Sequence, residues 1–372
     1  MDIDRILEAT KDLITPVGAL DDEIVERNIS RMAKLAADHG VKLRPHAKTH
    51  KSGEMARRQV AHGAVGVTSA TMTEARVFIE AGVDDVLIAH PPVGEPKLRR
   101  LSALRERVKR LVVSLDDLEV AKALPPAVDV YWEVDPGQHR IGTFPGEPTV
   151  KAVKELVRLI GNDRLRGLIT HAGHSYAATK LQERQRAADE ETDAVAWTAE
   201  RLRKDGIEIR ELSVGSTPTA GLALRDGITE MRPGTYIYGD ANQVALGSQS
   251  LDDCALAVVA TVVSTPAADR AVVDAGSKAL SADLRVANLK GYGTVLGRDD
   301  LTVERLSEEH AVITAATETR LKIGERLVIF PSHACTVVNL HPALLLISMS
   351  APPRWLRCDA HGWGNAPEHF LG

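Results

Sequence analysis

The chain has 372 residues with a formal net charge of -5; 44% are hydrophobic, 26% charged and only 3% aromatic. That composition suits a protein with a full-sized core, and its evenly spread, mildly acidic charge lacks the basic patch with interleaved aromatics of a nucleic-acid binder. The longest apolar run, 255–260, is far too short to span a bilayer, no signal-peptide core is present, and three scattered cysteines argue against a disulfide framework. The expectation is a cytoplasmic enzyme of small molecules, with no nucleic-acid or membrane partner.

From about residue 20 to 240, short β-branched runs alternate with helical patterns. The runs fall at 41–43, 65–68, 86–88, 111–115, 128–134, 165–170 and 212–214. Between them, Ile24, Val25, Ile29, Met32 and Leu35 form one apolar face at three- and four-residue spacing, and Met72, Ala75, Phe78 and Ile79 another. Gly40, Gly63, Gly82 and Gly206 stand where such helices end. With an eighth strand expected near 236–238, the pattern predicts an α/β fold built on a closed (β/α)8 TIM barrel. A doubly wound sheet is the rival, but no strand is followed by G-x-G-x-x-G. Past Asn242, strand-like runs at 255–263, 271–273, 302–306, 310–314, 325–330 and 336–340 are separated by turn residues, which predicts a mostly β domain. The expected division is a barrel over 21–240 and a β domain formed by 1–20 and 241–372.

The densest chemistry is the run R-P-H-A-K-T-H-K at 44–51, directly after the first strand, on the rim that hosts barrel active sites. A lysine among other cations can have its pKa depressed and act as a nucleophilic amine; a basic surface loop or a phosphate clamp is the other reading. Four more segments fall on the same rim. They are D-P-G-Q-H-R-I-G at 135–142, T-H-A-G-H-S-Y at 170–176, V-G-S-T-P at 214–218, and R-P-G-T-Y at 232–236, which leads into the eighth strand. Gly215, Ser216 and Thr217, small residues with free N–H groups and hydroxyls near strands seven and eight, suit a phosphate cradle. Downstream, His333 and Cys335 point to one face if their segment is extended. An imidazole and a thiolate so placed suit Zn²⁺; alone, a buried cysteine beside a surface histidine is the commoner meaning of that spacing.

Together these segments resemble the fold-type III, alanine-racemase-like pyridoxal-phosphate enzymes, and R-P-H-x-K-x-H-K with a distant H-x-C narrows the resemblance to the D-serine dehydratase and D-threonine aldolase family. The resemblance runs from about Thr15 to His341. It implies that Lys48 forms the Schiff base with pyridoxal 5'-phosphate and serves as base at Cα. It implies further that Arg140 contacts the cofactor's phenolic oxygen, that His46, His171 and Tyr176 line its ring, His171 and Tyr176 as catalytic residues beside Lys48, and that Gly215, Ser216, Thr217, Gly234 and Thr235 hold its phosphate. Arg232 matches the racemase arginine that faces the pyridine nitrogen, a contact made differently in the dehydratase–aldolase branch. In that branch His333 and Cys335 bind a divalent metal, Zn²⁺ or alternatively Mn²⁺ or Mg²⁺, with His-x-Cys typical of dehydratases and His-x-Asp of aldolases. The resemblance thus implies a homodimeric lyase that deaminates D-serine to pyruvate and ammonia. Retro-aldol cleavage of D-threonine to glycine and an aldehyde, or dehydration of 3-hydroxy-D-aspartate, is the alternative. A racemase would carry G-Y-x-D-G where this chain has D-A-G-S-K at 274–278, and a non-catalytic cofactor carrier would end after the barrel. His50, Lys51 and His174 are read either as site residues or as solvated rim; Cys254 and Cys358 as packing thiols; His361 and His369 as part of a mobile tail or a cover over the site.

Overall fold

The computed structural model describes residues 1–283 and 285–362, so His369 and the rest of the tail lie outside the described residues. The chain divides into two compact units. One, comprising Ser30–Lys48 and Gly53–Gly234, is the barrel. Its strands are Lys42–Leu43, Val67–Ser69, Asp85–Ile88, Arg110–Leu115, Asp129–Glu133, Leu165–Ile169, Glu211–Val214 and Glu230–Met231, each parallel to its neighbours. The two ends of the sheet meet where Val65 and Thr68 donate to the carbonyls of Leu43 and Pro45, and where His46 pairs with Thr68. The eighth strand is therefore Glu230–Met231; the expected strand at 236–238 is instead the 3-10 turn Thr235–Ile237. R-P-G at 232–234 consequently ends the eighth strand rather than preceding it. Two residues are too few to show any alternation, which is why the pattern missed them.

The layers follow from side-chain periodicity. Val67, Val86, Leu111, Val113, Trp132 and Val214 face outward against helical residues such as Phe78, Leu101, Leu156 and Leu202. Each such large side chain stabilises by about 1.5–3 kcal/mol on burial. Leu87, Val112, Tyr131 and Ile169 form a separate cluster. Helix starts are locally encoded: Thr71 accepts from the Glu74 amide at 3.1 Å while the Glu74 carboxylate accepts from the Ala70 amide at 2.6 Å, enclosing the first turn of Met72–Glu80.

The other unit comprises Met1–Ile29, Thr49–Ser52 and the described residues from Thr235 onward. Its sheet has nine strands. Val17–Asp21 lies antiparallel to Leu256–Ala267 and parallel to Ala343–Ile347. Val17, Ala19, Ala257, Val259, Val328, Phe330, Leu345 and Ile347 pack with Ile6 of the helix Ile3–Thr10. The strand expected at 336–340 is a helix, Ala334–Leu340. Thr336, Val337 and Val338 favour strand locally, but Ala334, Cys335, Val337 and Val338 are buried along one helical side, and that packing overrides propensity. No helix among the described residues is long and apolar enough to cross a membrane.

Candidate active site

Lys48 lies in the 3-10 turn Ala47–Thr49 that follows the first barrel strand. Arg44, at the head of the same cationic run, belongs to the barrel interior: its Nε lies 2.8 Å from Glu230 and its Nη1 2.6 Å from Asp85, with 1% exposure. The run is thus not one basic loop. His46 is half-buried, and its Nδ1 accepts from the Lys48 amide at 3.4 Å. Burial, and then the charge on Lys48, push its imidazole well below the usual range.

His171 follows the sixth strand. Burial, aided by Lys48 and Arg140, pushes it down to about 3, so the ring is neutral. Its Nδ1 lies 3.1 Å from the Gly215 carbonyl oxygen. A carbonyl only accepts, so this bond assigns the proton to Nδ1 and leaves Nε2 as a bare acceptor. Tyr176, half-buried, sits in the 3-10 turn Gly173–Ala177 beside Ser175, whose hydroxyl is 2.6 Å from the Ala172 carbonyl and 3.3 Å from Ser216 Oγ.

Gly215 ends the seventh strand at φ +121, and a Cβ there would stand 3.0 Å from the Arg232 amide nitrogen, so glycine is required. Its amide donates to Glu191 at 2.8 Å, which corrects the expectation that this N–H is free for a phosphate. Ser216 begins the 3-10 turn Thr217–Thr219, and all four residues are buried. Arg232 is buried and donates to the Ser213 hydroxyl and the Thr170 carbonyl. Gly234, after it, is buried as well. Arg140 is exposed, on a loop shaped by Asp135, whose Oδ1 accepts from the amides of Gly137 at 2.9 Å and His139 at 3.0 Å. A primary amine, two neutral imidazoles, a buried guanidinium and a cluster of hydroxyls fit pyridoxal phosphate. Thr170 Oγ1, buried with no partner among the described residues, is a further donor at the same strand ends.

In the second unit His333 caps the helix Ala334–Leu340 with φ -140 and ψ 109. Its proximity to Cys335 comes from this cap followed by the first helical turn, not from the extended segment expected. His333 Nδ1 lies 2.5 Å from Asp283 Oδ2. Burial disfavours its charge, but the Cys335 sulfur and the carboxylates of Asp283 and Asp240 outweigh this and hold the imidazole well above its usual range. Asp240 also accepts from the Ala334 amide at 2.9 Å, fixing the start of the helix. Cys335 Sγ is 3.1 Å from Thr49 Oγ1 and 3.6 Å from Thr235 Oγ1. No three His, Cys, Asp or Glu side chains converge as a metal cluster among the described residues. An imidazole held at Nδ1 by a carboxylate, beside a thiol, nevertheless fits a two-ligand divalent site with open positions.

The alternative of solvated rim residues fails for His50 and Lys51, which are 0% and 8% exposed. His50 Nδ1 accepts from the Ser52 amide at 3.1 Å; the carbonyl of Lys51 accepts from the Ala360 amide at 2.9 Å, and its Nζ donates back at 3.4 Å. Residues as far as Ala360 are thereby docked, while His361 is exposed with Nδ1 3.1 Å from the Cys358 carbonyl. His174 Nε2 lies 3.2 Å from Glu190. Burial raises the thiols of Cys254 and Cys358, the latter to about 12, as befits packing residues. Sequence reading missed Glu191, Asp240 and Asp283. Glu191 carried a signal: it is an acid at the centre of the stripe Ala187, Ala188, Ala194, Val195, where helical spacing demands an apolar residue.

Residues 20–242 match the family model described as alanine racemase, N-terminal domain, and residues 255–347 match a serine dehydratase domain. The chain is 35% identical to D-threo-3-hydroxyaspartate dehydratase of Delftia sp. (strain HT23), over 94% of this chain and 98% of that one. It is 29% identical to D-serine dehydratase of Dictyostelium discoideum, over 87% and 90%. The crystal structure of D-threonine aldolase from Filomicrobium marinum superposes with a TM-score of 0.85 at 32% identity, covering 94% of this chain and 96% of that one. The names of these relatives denote dehydratases and an aldolase of hydroxy-amino acids.

Proposed function

This chain belongs to the alanine-racemase-like family of D-serine dehydratases and D-threonine aldolases, and from that premise we propose that it is a pyridoxal-phosphate- and divalent-metal-dependent lyase that dehydrates a β-hydroxy D-amino acid, foremost D-serine. The observation that carries the choice of dehydratase is Cys335, a thiol where the aldolase pattern has a carboxylate, set beside His333 at the start of a buried helix. A thiolate and an imidazole favour Zn²⁺ among the divalent candidates.

When bound, pyridoxal phosphate supplies an electron sink at Cα and the metal a Lewis acid for the β-hydroxyl. The protein's part is to position and to move protons. Lys48 holds the cofactor and its Nζ takes the proton from Cα. His171, neutral with a bare Nε2, accepts a hydrogen bond without adding charge to the site. His46, also neutral, adds no charge beside Lys48. Arg140 and Arg232 complement the phenolic oxygen and the ring. Ser216, Thr217, Gly234 and Thr235 hold the phosphate, and Tyr176 closes one side of the ring.

The 35% identity to a hydroxyaspartate dehydratase favours, as second reading, the same reaction on 3-hydroxy-D-aspartate. The test is a product assay with pyridoxal phosphate and Zn²⁺ on D-serine, D-threonine and D-threo-3-hydroxyaspartate. Keto acid with ammonia is expected, and glycine with an aldehyde would overturn the dehydratase. Lys48→Ala should lose the visible absorbance of the lysine-bound cofactor. Cofactor absorbance with no turnover of any of the three would instead favour a carrier.

A further inference from the structure

Glu191 is a glutamate in the middle of the 24-residue helix Leu181–Lys204, fully buried on its apolar side. A carboxylate at such a position costs stability unless it is hydrogen-bonded, so the identity of its partners says what it is for. All of them come from two turns on the barrel rim. Oε1 accepts from the Gly215 amide at 2.8 Å and from the Ala172 amide at 3.1 Å. Oε2 accepts from the Thr219 hydroxyl at 3.3 Å. The Thr219 oxygen in turn accepts from the Ser216 amide at 3.3 Å and lies 3.0 Å from Ser216 Oγ. His171, the residue before Ala172, closes the circuit through its Nδ1 to the Gly215 carbonyl.

We propose that Glu191 is the positioning residue that sets the Gly215–Ser216–Thr217 turn for the cofactor's phosphate and, through the same carboxylate, fixes the His171 ring. One carboxylate thus orients, through Thr219, the Ser216 hydroxyl on one turn and the imidazole on the other, without itself touching the ligand. The geometry does not require ionisation: a protonated acid or an amide still accepts both amide hydrogens on Oε1 and exchanges a hydrogen bond with Thr219. Consistent with this, burial raises the carboxyl to about 7, the bonded amides and Arg232 lowering it again only in part. Glutamine should therefore replace it, while methionine, of similar volume, should not.

The proposal rests on the phosphate reading of the 215–217 turn, and one titration separates the two. Full-length apoenzyme is titrated with pyridoxal phosphate and with pyridoxal, and the ratio of the two dissociation constants measures the phosphate contribution. In wild type the ratio should strongly favour the phosphorylated form; a ratio near one removes the phosphate turn and the proposal with it. In Glu191→Met the ratio should fall about 10–100-fold, as for a lost network of hydrogen bonds to a charged group, with pyridoxal, which senses only the His171 ring, losing less than pyridoxal phosphate. Glu191→Gln should keep the wild-type ratio. Thr219→Val, which breaks only the link to Ser216, should give a smaller fall and serves if the methionine variant does not fold. A wild-type ratio in Glu191→Met, or in Thr219→Val where the methionine variant does not fold, or an equal loss of pyridoxal and pyridoxal phosphate, would overturn the assignment.

Discussion

Asp283 stands 2.5 Å from His333 Nδ1, 50 positions away in sequence. Taking up Nδ1 leaves Nε2 as the nitrogen that would meet a metal, and a carboxylate partner raises the basicity of a ligating imidazole. On the zinc assignment proposed above, Asp283→Ala should weaken Zn²⁺ binding about 10–100-fold, measured by competition with a chelator, with the fold retained because Asp283 is partly exposed. An unchanged affinity would mean that His333 is not a ligand or that its tautomer is set elsewhere. His333 and Cys335 were singled out through the family resemblance, since their spacing alone favoured a buried cysteine beside a surface histidine. Asp283 was not, because nothing in a loop aspartate marks the distant imidazole it faces. Glu191 is the opposite case, since its break in an apolar stripe was visible, though not its partners.

Between residues and the whole lie the rim turns, whose shapes depend on close backbone approaches. Gly142 has φ +107, and a Cβ there would lie 2.6 Å from the Asp135 amide nitrogen and 2.8 Å from the Val134 carbonyl carbon. Both neighbours are backbone, so the contact cannot be relieved by a rotamer change. Gly142→Ala should cost about 1–3 kcal/mol and lower the melting midpoint; an unchanged midpoint would show that the Arg140 loop is free to adjust. Elements with long, clear periods were legible, as the helices at 22–38 and 72–80 illustrate. The strand Glu230–Met231 was too short to show a period, and the β-branched residues of Ala334–Leu340 pointed to the wrong element. The strands Val17–Asp21 and Ala343–Ile347 also went unassigned; they are adjacent in the sheet although more than 300 residues apart, a pairing without local signal.

On the scale of the molecule, the barrel unit carries a buried ionic network where a simple core would be apolar. Arg44 pairs with Glu230 and Asp85, Tyr131 donates to Glu211, and Glu211 is held down to about 2, against its burial, by Lys42, Tyr131 and Arg166. Such networks cost desolvation energy that only complete pairing offsets. Glu230→Leu, which leaves Arg44 with Asp85 alone, should therefore cost about 3–5 kcal/mol, read as a lower urea midpoint, and Arg44→Met in the same background should recover part of the loss. Equal midpoints for Glu230→Leu and wild type would show that the network contributes little. This network also shows why a basic loop stayed open as a reading of the 44–51 run: charge type is visible in sequence, but whether an arginine faces the rim or the barrel interior is not.

By itself the sequence determined the fold class and the family, because each rests on local periodicity or on closely spaced residue types. Only the tertiary structure decided how those residues are used. It withdrew the Gly215 amide from the proposed cradle by giving it to Glu191, buried His50 and Lys51, made His333 a helix cap, and assigned the His171 proton to Nδ1. The physical reason is common to all four. A hydrogen bond or a burial is a property of two segments brought together, and no window of sequence contains both.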